Sequence, residues 1–135
     1  MGIHYLAVLL AGVAAMVVGG LWYSPLLFSK AWMNEVGLSQ GQLEELKKKG
    51  MAKTYTLALA MCLLTSWCFA FLAGKVRIVH PDGAIKLAVL IWTGFVLPAV
   101  FSPVLWQGKS LKLFAINGGY YLTILSVIGL ILVAL

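Results

Sequence analysis

Four long blocks of the chain carry almost no charge, at about residues 3–23, 54–74, 84–106 and 111–135. Each is long enough to cross the ~30 Å hydrocarbon core of a bilayer as a helix. Between them lie short connections that hold nearly all the ionisable residues. Only 10% of the chain is charged and 62% is hydrophobic, whereas a soluble domain carries about 25% charged residues. That deficit cannot clothe a water-facing surface. The expected fold is therefore an all-α membrane protein: a single domain, 1–135, built as a four-helix transmembrane bundle. An interfacial helical segment joins spans one and two.

The first span has Ala7, Ala11, Ala15 and Gly19 at every fourth position. Small residues in such a row let two membrane helices approach closely, where lipid offers no hydrophobic force to hold them together. Span two repeats the device with Ala58, Cys62, Ser66, Ala70 and Gly74. Matching rows on consecutive spans predict a close antiparallel hairpin. Cys62 is then a small packing residue. Cys68, six positions on, points to a different face, so the two thiols are not expected to pair. In span three Pro98 falls in the interior and predicts a kink. Span four holds Asn117, Gly118, Gly119, Tyr120 and Tyr121 in its first half, followed by an almost purely aliphatic half.

The longest connection, 24–53, is mixed. Leu26, Leu27, Phe28, Trp32 and Met33 suit a segment lying at the membrane surface, with Lys30 reaching into the headgroups. Trp22 and Tyr23 sit where an aromatic belt belongs, and Pro25 stops or kinks the first span. Ser39 and Gln42 predict a reciprocal helix cap, and Gly50 the end of that helix. Glu44 with Lys48, and Glu45 with Lys49, have the spacing of ion pairs on successive turns. His80-Pro81-Asp82-Gly83 reads as a turn. Ser24-Pro25-Leu26-Leu27-Phe28 has a faint echo in Ser102-Pro103-Val104-Leu105-Trp106, which would suit a parallel repeat of hairpins.

The net charge is +6, and the bases sit in connections rather than on a face with interleaved aromatics. That pattern points to anionic lipid headgroups and the bilayer as partners, and away from nucleic acid. Connections one and three hold Lys30, Lys47, Lys48, Lys49, Lys53, Lys109 and Lys112; connection two holds Lys75, Arg77 and Lys86. Seven bases against three place connections 24–53 and 107–110 in the cytoplasm and both termini outside, in a multi-pass protein of the inner membrane. No base precedes the first block, which argues against a cleaved signal peptide. Leu6 stands where a myristoylation signal wants Ser or Thr.

Three stretches also carry a resemblance. The run Leu21-Trp22-Tyr23-Ser24-Pro25-Leu26-Leu27-Phe28-Ser29-Lys30-Ala31-Trp32-Met33 resembles the signature near the N-terminus of the domain-of-unknown-function 1761 family. Ser29 stands where that pattern has Gly. Trp92-Thr93-Gly94-Phe95, and Lys112-Leu113-Phe114-Ala115-Ile116-Asn117 through Tyr121, are similar to later parts of the same family. The resemblance implies a small four-span membrane protein of bacterial type. It implies no activity, so it carries no functional residues over.

The chemistry on offer is thin. The carboxylates Glu35, Glu44, Glu45 and Asp82 all lie in connections, so no span holds the acid that proton-coupled transport uses. His4 and His80 fall on one side of the membrane and read best as interfacial residues. No nucleophile triad, zinc spacing or phosphate loop is present, so no enzyme, metal or cofactor is expected. Trp22, Tyr23, Ser24, Pro25, Lys30 and Trp32 form an interfacial motif. The five tryptophans, Trp67 and Trp106 among them, read as a belt. Asn117 must find a partner within lipid, with Thr65, Ser66 or Thr93 in reach. The favoured function is a structural or interaction protein, homo-oligomeric because so short a chain encloses little volume. The alternative is a small transporter, channel or lipid-handling protein. Its polar cavity would be lined by Asn117, Tyr120, Tyr121, Thr93, Pro98 and Ser66.

Overall fold

The computed structural model describes residues 3–135, and among these every regular element is helical. The order is α1 (Tyr5–Trp22), α2 (Ser29–Val36), α3 (Gln40–Lys48), α4 (Ala52–Lys75), α5 (Pro81–Ile91), a π turn (Trp92–Val96), α6 (Leu97–Trp106) and α7 (Leu111–Ala134). Among the described residues four helices are long and apolar enough to cross a membrane, α5, the π turn and α6 together making the third. The ends differ a little from expectation. Span three begins at Pro81, because a proline at the first helical position loses no hydrogen bond and brings a ready φ. The turn lies just before it, where Arg77 takes a positive φ of 57°.

Spans one and two form the expected antiparallel hairpin. Ala7, Ala11 and Ala15 are fully buried. A Cβ on Gly12 would lie 2.6 Å from Leu63 Cδ2 and 3.1 Å from its Cα, so the two backbones come close there. Ser66, fully buried, donates to the Val8 carbonyl at 2.8 Å. On α4, however, the buried stripe is Cys62, Ser66, Phe69 and Ala73; Ala58 and Ala70 are half-buried and Gly74 is exposed. The reason is geometric. Four residues advance a helix by about 400°, so a strict every-fourth row drifts by ~40° per step. Alternating steps of four and three stay on one face.

α7 is the helix around which the others are arranged. α1 packs along one side of it and α5 along another, while α4 lies beyond α1 and also touches α7. Phe69 of α4 reaches across to Gly129 of α7, where an added Cβ would stand 2.9 Å from its ring and 3.2 Å from Ala84 Cβ of α5. Spans two and three, consecutive in the chain, make little direct contact, so the bundle is open on that side. An apolar cleft of about 430 Å³ lies there, between Leu64, Cys68 and Leu72 of span two and Ile91 and Phe95 of span three.

Pro98 does not simply kink span three. It lacks the amide that would bond the Gly94 carbonyl, and the segment before it widens into the π turn, with the Leu97 amide donating to Trp92 O. The Ser-Pro echo also resolves into two conformations. Ser24-Pro25 is a tight connection after α1, with the Ser24 hydroxyl donating to Leu21 O at 2.7 Å, whereas Pro103 lies inside α6. In the long connection, Ser39 and Gln42 form the reciprocal cap, and Gly50 follows α3 at φ 93°. The expected Glu44–Lys48 and Glu45–Lys49 pairs are not closed; among the described residues the one ion pair is Lys86–Asp82 at 3.8 Å. Long exposed side chains gain little from such contacts against their lost freedom.

Candidate functional site

One turn of α7, from Ile116 to Tyr120, gathers the three stretches that stood out in the sequence. The Trp22 indole donates to the Ile116 carbonyl at 2.9 Å. The Trp92 indole donates to the Gly118 carbonyl at 2.8 Å. Two residues along a helix turn it by about 200°, so these carbonyls face nearly opposite ways. Trp22 therefore grips α7 from the α1 side and Trp92 from the α5 side. Gly118 and Gly119 are the seats. A Cβ on Gly119 would stand 3.1 Å from the Trp22 ring, and one on Gly118 3.5 Å from Trp92. A helical carbonyl keeps a second lone pair beside its own ladder bond, so it can accept each indole without unwinding the helix.

Between these two contacts lies Asn117. Its side-chain oxygen accepts from the Tyr23 hydroxyl at 2.7 Å. The partner is thus the second residue of the Trp22-Tyr23 pair rather than Thr65, Ser66 or Thr93. Thr65 returns its hydroxyl to Met61 O at 3.0 Å, Ser66 is engaged with α1, and Thr93 is exposed. The Tyr23 ring meets Tyr120 at 5.3 Å and Trp32 at 5.8 Å, both edge-on. Tyr120 packs over Gly19, lies beside Cys62, and tilts against the exposed Tyr121 at 5.0 Å.

The short helix α2 closes this end of the bundle. Met33 is buried, and the Ser110 hydroxyl donates to Glu35 Oε2 at 2.5 Å while accepting from the Leu113 amide at 3.1 Å. One hydroxyl thus caps α7 and fastens α2 to it. Lys30 is exposed, and Leu26, 83% exposed, leads the connection away from the bundle.

The six candidate-cavity positions do not share one space. Asn117, Tyr120 and Tyr121 lie together. Thr93 and Pro98 are on the exposed side of span three, and Ser66 lies in the α1–α4 seam. No buried side-chain nitrogen or oxygen among the described residues lacks a partner. Trp22 and Trp92 depart from the belt reading, since both use their indole N–H inside the bundle. Trp106, 82% exposed, keeps to it. Sequence reasoning named Trp92, the glycine pair and Glu35 without placing them in contact with this turn, and it did not name Ser110. The available signal was a glycine pair in the first half of span four, which gives a large aromatic from another helix room to reach the backbone.

A family model described as "Protein of unknown function (DUF1761)" matches residues 6–133, nearly the whole chain. No curated protein and no solved structure matches it.

Proposed function

The chain belongs to the DUF1761 family of proteins of unknown function, and from that premise we propose that this integral membrane protein is a non-catalytic interaction protein that self-associates. One observation carries the reading. Three polar side chains of its motif stretches are engaged inside the bundle, Trp22 on Ile116 O, Tyr23 on Asn117 and Trp92 on Gly118 O, and no buried side-chain nitrogen or oxygen among the described residues is without a partner. Transport and catalysis both need polar groups held open to a substrate. The motif residues therefore serve the assembly of the bundle. The function lies on its lipid-facing sides.

The face of association is the open side between spans two and three. Span three has 17% of its apolar window buried within the chain, against 33% for span four. A second copy seated over Cys68 and Phe95 would cover that side. The cytoplasmic placement of 24–53 and 107–110 in the inner membrane, with both termini outside, rests on the seven-to-three distribution of bases.

Cys68 is exposed in this cleft and Cys62 is buried. Oxidative cross-linking in native membranes is therefore expected to give a covalent dimer that Cys68→Ser abolishes and Cys62→Ser does not. Native mass spectrometry from nanodiscs is expected to give one defined oligomer. A monomer by both measurements would sink the reading. A monomer with a reproducibly bound solute, lost on Asn117→Leu, would favour the transport alternative.

A further inference from the structure

We propose that the cleft between the end of α1, helix α2 and the first turns of α7 binds one anionic glycerophospholipid, its acyl chain against Phe28, Ala31 and Ala115 and its phosphate at Lys112. The cleft has a volume of about 370 Å³, within the ~300–1,000 Å³ typical of small-molecule sites. It is independent of the open side between spans two and three.

Three observations converge on this occupant. The first is preorganisation. The Trp22 ring forms one wall, and its position is fixed by the bond to Ile116 O, by Gly119 beneath it and by Phe28 at 4.8 Å. The cleft therefore exists before a ligand arrives. The second is chemistry. Lys112 is the one charged side chain that lines it, and the other lining residues offer apolar surface. Among the described residues Lys112 has no ion-pair partner; Lys86–Asp82 is the sole pair, and the Glu35 carboxylate accepts from Ser110. An uncompensated cation at the rim of an apolar slot complements an anion carrying a hydrocarbon chain.

The third is depth. Leu26 and Leu27 are 83% and 56% exposed immediately before Phe28, and the basic residue Lys30 is exposed just after it. Apolar side chains that face outward beside a lysine place this connection at the boundary between headgroups and acyl chains. The cleft mouth then opens where lipid phosphates lie. A water-soluble anion would find Lys112 but gain nothing from the apolar walls.

The test uses the full chain in nanodiscs of equal phosphatidylglycerol and phosphatidylcholine, with native mass spectrometry of the released protein. The intact protein is expected to retain phosphatidylglycerol preferentially. Lys112→Gln is expected to lower that retention about five-fold, the effect of one lysine at an anionic surface, while Lys112→Arg keeps it. Ala115→Phe, which fills the slot, is expected to lower retention of both lipids. Lys109→Gln, a neighbouring base outside the cleft, is expected to change nothing. Near-ultraviolet circular dichroism follows the packing of the aromatic side chains as a group, so each variant is compared at intact packing. Undiminished retention in Lys112→Gln or in folded Ala115→Phe would overturn the site. So would an equal loss in Lys109→Gln, which would assign the lipid to a diffuse basic surface.

Discussion

At the residue scale, the glycines divide by what they touch. Gly12 faces the Leu63 backbone and Gly129 faces Phe69 and Ala84, whereas a Cβ on Gly20 would meet nothing within 4 Å. Gly12→Ala and Gly129→Ala must push helices apart, at a cost of about 1–3 kcal/mol for overpacking. Gly20→Ala is expected to be neutral or slightly stabilising, because alanine loses less backbone entropy in a helix. Thermal unfolding in detergent micelles separates the two groups; equal effects would mean that the close contacts are not limiting. The Tyr23–Asn117 bond is tested by a double-mutant cycle of Tyr23→Phe and Asn117→Leu. The expected coupling is about 0.6 kcal/mol, the usual worth of a polar contact between membrane helices. A coupling of zero would mean that the hydroxyl and the amide do not act as a pair.

At the element scale, α2 is the part most dependent on others. It has eight residues, too few to be stable alone, and its packing on α7 together with the Ser110–Glu35 bond holds it there. Ser110→Ala removes both that bond and the cap of α7. Loss of an N-cap costs about 0.5–2 kcal/mol, and α2 should loosen as well. Hydrogen exchange is expected to speed up across 29–36 and at the start of α7. Ser39→Ala should speed exchange only in α3, which buries no residue. If Ser110→Ala left 29–36 as protected as before, packing alone would hold α2. The π turn belongs to this scale too. A proline at 98 was enough to predict an irregularity in span three. That the irregularity is a π turn, whose first residue Trp92 bonds α7, is not written in the local sequence.

At the scale of the whole molecule, charge and packing make separate contributions. Replacing Lys47, Lys48, Lys49 and Lys53 by Gln would leave Lys30, Lys109 and Lys112 against Lys75, Arg77 and Lys86, three bases on each side. The orientation signal is then balanced, and labelling of single cysteines placed in connection two should find both orientations. A uniform orientation in that variant would show that the cluster 47–53 does not set topology. Packing should be unaffected in the correctly inserted fraction, since these lysines bury nothing.

Sequence alone determined the four spans, their small-residue hairpin, the Ser39 cap and the separation of bases from apolar blocks. Each depends on neighbours a few residues apart or on bulk transfer into lipid, both written directly in residue order. It also marked the stretches around Trp22, Trp92 and Asn117, without saying that they meet. Only the tertiary structure decided that Tyr23 is the partner of Asn117, that two indoles grip α7 from opposite sides, and that spans two and three stand apart. The reason is physical. A buried polar group accepts whichever partner the packing brings within about 3 Å, and many residues could satisfy it equally well. Which one does so depends on helix rotation and order around the bundle, set by contacts between residues nearly a hundred positions apart.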